Sequence, residues 1–355
     1  MIYRECGQFK TSYGSDQAIF PIPQDRWGVM LALLIAFMVI PAIANEYWLG
    51  VILTPFLILA LAALGLNILT GYCGQLSLGS AAFMAVGAFA AYNFELRLPG
   101  IPLLLDFVLA GLVAAGVGII FGIPSLRIKG FYLAVATLAA QFFIEWSLTK
   151  FGWFSNYSSS GVITAQKMVI LGYDFDTPLR KYLLVLSIVS VLALMAKNLV
   201  RSETGRAWMA VRDMDVAAEV IGIRIMKTKL MAFAVSSFYC GVAGALWAFA
   251  YLGTVDAQTF DLHRSFQILF MIIVGGMGSI LGSFIGAAFI VLMPIFINLS
   301  AHALFGNAIR PDLLSNMELI VFGGLIIFFL IVEPLGLARL WQIAKEKLRL
   351  WPFPH

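Results

Sequence analysis

Charge is what this sequence has least of. Only 12% of its 355 residues are Asp, Glu, Lys or Arg, about half of the roughly 25% usual in soluble proteins. So few charges cannot clothe a chain of this length in a water-facing surface, which excludes a soluble multidomain protein. Cysteine and histidine are equally scarce, at three each. Cys6, Cys73 and Cys240 stand in no metal-like or redox-like spacing, and the last two lie in apolar surroundings where a thiol is a small hydrophobe. No phosphate loop of the form G-x-x-x-x-G-K-[ST] occurs, so any driving energy must arrive from a partner. The net charge of +4 gives no reason to invoke nucleic acid. The chain reads as a non-enzyme with no metal or cofactor site of its own.

Hydrophobic length is what it has in abundance, with 61% apolar residues. A helix crossing the ~30 Å hydrocarbon core needs roughly 20 apolar residues. That ruler predicts an all-α, polytopic transmembrane helical bundle of about ten spans, near 28–44, 49–68, 77–95, 102–123, 131–149, 181–199, 229–252, 266–282, 283–300 and 316–332. Ala42-Ile43-Ala44 has the look of a cleavage site, but the preceding tail is long, polar and carries Glu5, Asp16 and Asp25. The first span is therefore expected to be retained. With the N-terminus inside and the spans alternating, 16 of the 23 Lys and Arg fall on the cytoplasmic side and 7 outside, which places both termini in the cytoplasm. The chain then divides into a cytoplasmic tail (1–27), a transmembrane domain (28–332) and a cytoplasmic C-terminal tail (333–355). Two loops are long, an outer one at 150–180 and an inner one at 200–228.

Ionisable residues are nearly absent from the spans. Glu95, Asp106, Glu145 and Glu318 all stand near span ends, and His263 and His302 fall in outer loops. An ion-coupled transporter needs such groups near the midplane. Polar uncharged residues are concentrated instead between Gly65 and Ser80, where Asn67, Thr70, Gln75, Ser77 and Ser80 stand among four glycines. Two readings stay open for this segment: a break facing the bundle interior and lining a translocation path, or a cytoplasmic turn between spans two and three. Gly278, Gly282 and Gly286 form a small-xxx-small ladder, expected to seat either a neighbouring helix of the same chain or a second subunit.

Residues 202–222 of the inner loop carry a helical signal. At 100° per residue, Ala207, Val211, Met214, Ala218 and Ile221 fall within about 80° of one another, while Arg206, Arg212, Asp213, Asp215 and Glu219 do not. Ser202 to Gly205 supplies start signals and Gly222 a stop. A stripe so poor in Leu and Phe suits a protein groove better than a lipid surface.

Ala217-Ala218-Glu219-Val220-Ile221-Gly222 resembles the Ala-Ala-x-x-x-Gly core through which permeases of ABC importers contact their ATPases, with Val216 where a Glu usually leads. Gly205 to Asp213, Gly65 to Gly79, Leu126 to Ala134, Gly275 to Ser279 and Glu333 to Leu337 are similar to segments of branched-chain amino acid permeases. The resemblance spans roughly 50–340 and points to the high-affinity permease subunit of the LivM type. It implies a bacterial inner-membrane protein, a second homologous permease subunit (identical or not), two cytoplasmic ATPases that bind ATP and Mg, and a periplasmic binding protein. Asn156 to Gly161 departs from the Thr-Gly-Gly-rich outer loop of that family. Related permeases serve urea and short amides, and a passive channel for a small neutral solute is the rival of a different class.

The charge count is checked by single cysteines at Ser202 and Ser159 in a background lacking the native three. An impermeant maleimide applied to intact cells is expected to label Ser159→Cys and to spare Ser202→Cys. Equal labelling of both sinks the topology.

Overall fold

The computed structural model describes residues 12, 19, 23–98, 100–125, 131–158, 162–165, 168–170, 173–305, 311–333 and 335–350. Most of the N-terminal tail with Cys6, the 126–130 part of the Leu126–Ala134 motif, Ser159 to Gly161, Arg310 and Pro334 lie outside the described residues. The helices are α1 (Pro23–Leu34), α2 (Ile40–Ile43), α3 (Thr54–Asn67), α4 (Ser80–Arg97), α5 (Leu103–Ser125), α6 (Phe131–Lys150) and α7 (Pro178–Arg201). They continue as α8 (Glu203–Asp213), α9 (Asp215–Val220), α10 (Ile225–Leu246), α11 (Leu262–Gly275), α12 (Ile280–Phe305), α13 (Pro311–Val332) and α14 (Leu337–Leu350). Wider π-helical turns link or extend several of them, at Ile35–Val39, Trp48–Leu53, Ile68–Tyr72 and Trp247–Leu252.

Among the described residues, six helical stretches are long and apolar enough to cross a membrane: Asp25–Ile43, Trp48–Tyr72, Leu103–Pro124, Pro178–Arg201, Ile225–Leu252 and Ile280–Ser300. The other four expected spans are helical but differ from simple lipid-facing rods. α4 ends in the polar run Asn93, Glu95 and Arg97, and α6 carries Thr137, Gln141 and Glu145 at four-residue intervals along one face. α13 has a shorter apolar part, Ile320–Phe329. α11 stops at Gly275 instead of running to 282; its 14 residues cover about 21 Å, short of the ~30 Å core. The turn falls at 276–279, where Gly276 and Gly278 hold φ of 117° and 78°.

α3 is apolar on all sides and buried along its length except at Phe56, as a helix hydrophobic all round requires. It packs against α7, α10, α11 and α12 and is the centre of the bundle. α4, α5 and α10 form a second tight group beside it. Two short antiparallel ribbons decorate one end. Strands β1 (Ile163–Thr164) and β4 (Thr254–Val255) pair Ile163 with Val255, tying the 150–180 loop to the turn after Trp247–Leu252. Strands β2 (Val169–Ile170) and β3 (Tyr173–Asp174) form the other.

The glycine ladder is an intrachain seam. Gly278 lies in the turn, while Gly282 and Gly286 line α12 where it crosses α11. A Cβ on Gly282 would stand 2.7 Å from the Gly275 carbonyl, and one on Gly286 3.0 Å from the Gly275 Cα. Gly282→Leu must push these backbones apart. It is expected to cost about 1–3 kcal/mol or more and to lower the melting temperature and yield of detergent-purified protein. Normal yield and melting would show that α11 and α12 do not meet there.

Candidate functional site

After the π-helical turn Ile68–Tyr72 the chain runs non-helically from Cys73 to Gly79 before α4 begins at Ser80. Cys73, Gln75, Ser77 and Gly79 are buried while Gly74 is exposed, so the segment is a break whose alternate residues face the bundle interior. Irregular backbone among apolar helices must find a partner for each orphaned N–H and C=O. On the incoming side, the Leu69 carbonyl accepts from Gln75 N and the Thr70 carbonyl from Gly74 N, both at 3.1 Å. The Gly71 carbonyl accepts from Arg212 Nη1 at 2.9 Å. On the outgoing side, Gly79 has no side chain with which to cap α4. Its donors are served from other helices: Leu78 N by Thr137 Oγ1 at 2.9 Å, Ala81 N by Ser265 Oγ at 2.9 Å and Ala82 N by Gln141 Oε1 at 2.7 Å. Gln141 Nε2 also donates to the Phe260 carbonyl at 2.8 Å. One glutamine thus joins the break to the 3-10 turn Ala257–Phe260 that enters α11.

Asn67, fully buried at the end of α3, is the second anchor. Its Nδ2 donates to the Ser279 carbonyl and to Ser283 Oγ, and its Oδ1 accepts from Gly278 N, each at 2.8 Å. The left-handed φ of Gly278 aims that N–H, and a side chain there would be strained. Thr70 Oγ1 donates to the Gln75 carbonyl at 3.0 Å, and Ser77 Oγ accepts from Gly79 N at 3.3 Å. Asn67, Thr70 and Ser77 are therefore spent on holding the break. Gln75 Oε1 and Ser80 Oγ are buried with no hydrogen-bond partner among the described residues, and they are the polar atoms left with spare capacity.

The 202–222 segment is two helices, not the one helix expected. Met214, extended at φ −158° and ψ 95°, separates α8 from α9. The break turns the expected stripe inside out. Val211 and Ala218 are buried within the chain, Gly205 is buried at the α7–α8 corner, and Ala207 is half-buried. Met214, Val216, Val220 and Ile221 are instead 65–82% exposed, beside the exposed Arg206, Ala217, Glu219, Gly222 and Arg224. Two residues outside the stripe prove central. Trp208 is fully buried and donates Nε1 to the Thr228 carbonyl at 3.0 Å. Arg212, held by Asp213 Oδ1 through Nε and Nη2 at 2.9 Å each, extends Nη1 to Gly71. Among the described residues, no group of three or more His, Cys, Asp and Glu is placed to hold a metal ion.

A family model described as the permease component of the branched-chain amino acid transport system matches residues 48–330. The chain is 28% identical over 311 residues to the high-affinity branched-chain amino acid transport system permease protein LivM of Salmonella typhimurium, covering 81% of this chain and 69% of that one. The Escherichia coli K12 protein of the same name matches to the same extent. The autoinducer 2 import system permease protein LsrC of Enterobacter sp. strain 638 is 28% identical over 274 residues, 73% of this chain and 75% of that one. No solved structure matches significantly.

Asn67→Ala removes three hydrogen bonds and leaves the Gly278 N–H without its acceptor. Stranding buried polar groups costs about 1–3 kcal/mol each. The variant is expected to melt several degrees lower in detergent than wild type, while Thr149→Ala, at an exposed hydroxyl, melts normally. Equal melting of all three proteins would remove Asn67 from its anchoring role.

Proposed function

The chain belongs to the family of branched-chain amino acid transport permease components, and from that premise we propose that it forms half of the pathway of an ATP-driven importer for leucine, isoleucine and valine. It is a multi-pass membrane protein and a transport subunit, not an enzyme. The reading adds a second homologous permease subunit, two cytoplasmic ATPases that carry ATP and Mg, and a periplasmic binding protein that delivers the solute across the bacterial inner membrane. Ten spans with both termini in the cytoplasm accommodate the 16-to-7 charge asymmetry. The names of the LivM relatives support the substrate class.

The observation that carries the coupling is the exposed apolar edge of Met214, Val216, Val220 and Ile221, on a segment whose other side is fixed to the break through Arg212. ATPase closure moves α9 in this mechanism. The α8–α9 unit follows as one body because the two helices pack against each other across Met214. Arg212 then carries the displacement to the Gly71 carbonyl, where the break shifts between outward- and inward-facing arrangements. The groups of the break with spare capacity, Gln75 Oε1 and Ser80 Oγ, carry no fixed charge, which suits a zwitterionic or neutral cargo.

Val220→Asp puts an unpaired carboxylate into a contact that excludes water, at a cost of several kcal/mol, or two or more decades of affinity. On a free surface the same change stays within about ±0.5 kcal/mol. The expected outcome is a permease pair that purifies without its ATPase and has lost leucine uptake. Arg212→Ala is expected to keep the ATPase and lose solute-stimulated hydrolysis. ATPase recovery and uptake that both survive Val220→Asp remove the docking role and favour a passive channel. Loss of urea or autoinducer 2 uptake on gene deletion, with leucine uptake unchanged, moves the substrate.

A further inference from the structure

α4 presents one long face to a groove closed on its other sides by α5, α6 and the 153–154 turn. Val86, Phe89, Ala90, Asn93 and Arg97 follow one another at three- and four-residue steps along that face, and the cavity measures about 530 Å³. From Val86 to Arg97 the face rises about 16 Å, close to the ~15 Å of one bilayer leaflet's hydrocarbon. Apart from Ser147, the rest of the lining is apolar, with Val113 and Val117 from α5 and Ile144 from α6. The groove opens sideways, where Ile120 and Phe143 are exposed on the outer faces of α5 and α6.

Its polar atoms are all at one end. The Arg97 guanidinium stacks 3.6 Å above the Trp153 ring and donates Nη2 to the Trp153 carbonyl at 2.8 Å. Among the described residues no carboxylate pairs with it, and its other N–H donors remain available. Glu95 lies about 200° around the helix, on the Asp106 side. One turn deeper, Asn93 Nδ2 is fixed by the Phe89 and Phe154 carbonyls, and its Oδ1 accepts no hydrogen bond among the described residues.

We propose that this groove binds one acyl chain of a phosphatidylglycerol, with the phosphate on Arg97. The proposal rests on the membrane-spanning reading of α4, α5 and α6. Length, a lining without charge below Asn93, a lateral opening and a pinned cation at the interfacial end are all required by such a lipid. A free amino acid would leave most of the 16 Å apolar length empty, and a partner's apolar helix would bring nothing for Arg97.

The assembled transporter is purified in mild detergent as wild type, Arg97→Gln and Ala90→Phe, and its retained phospholipids are counted by mass spectrometry. Wild type is expected to hold phosphatidylglycerol well above its share of the membrane. Arg97→Gln should cut that enrichment about fivefold, the ratio that ~1 kcal/mol per interfacial cation gives. Ala90→Phe should abolish it, because the ring fills the groove. No enrichment in wild type, equal retention of phosphatidylethanolamine, or full enrichment in Arg97→Gln overturns the site. Loss of the second permease subunit from Ala90→Phe makes the groove a protein interface and overturns it as well. A complex that keeps its ATPase and uptake without enriched lipid refutes the groove alone and leaves the transport reading standing.

Discussion

The amide of Asn67 holds together what the rest of the molecule is arranged around. A helix that stops inside an apolar bundle exposes carbonyls and N–H groups that lipid cannot satisfy. Three hydrogen bonds from one side chain fasten the end of α3 to the 276–279 turn and to Ser283 on α12. With that end fixed, the Gly71 carbonyl stands where Arg212 reaches it. The outgoing side depends on a matching device, in which Thr137, Gln141 and Ser265 cap a helix whose own first residues cannot. Each anchor is useful only because the other is present.

Much of the fold could be read from the sequence because lipid imposes a simple rule on composition. The long apolar runs marked ten candidates, six of which are, among the described residues, helices long and apolar enough to cross a membrane, and the polar cluster from Asn67 to Ser80 marked the break. What could not be read depended on partners far away in the chain. Periodicity placed Arg212 on the polar side of one helix, but Met214 is extended, and the two shorter helices turn in different directions. That is why Ala218 is buried while Val220 faces outward. Thr137 and Gln141, one helical turn apart in an apolar segment, were a visible signal of a shared polar face. Nothing local said that this face would cap α4.

The two ends of the break differ in what holds them. Backbone N–H groups near the start of α4 are gripped by hydroxyl and amide side chains, whose bonds exchange without moving charge. The Gly71 carbonyl is gripped by a guanidinium that also serves Asp213. A lysine has one ammonium and no planar fork with which to satisfy both. This contact links the break to α8, and it is a charge-assisted bond, roughly twice as strong as its neutral neighbours.

The Asn67–Gly278 bond spans 211 residues, and this sets an order of events during biosynthesis. At about 5–20 residues per second, the ribosome needs roughly 10–40 s to reach Gly278 after Asn67 has been made. Throughout that interval α3 sits in the membrane with an unanswered amide, and the turn that will answer it does not exist. The N-terminal helices must therefore wait as loosely associated rods, tolerant of a polar group, until the last quarter of the chain arrives and locks them. Quality-control proteases that sample half-made membrane proteins meet their most exposed substrate in this window.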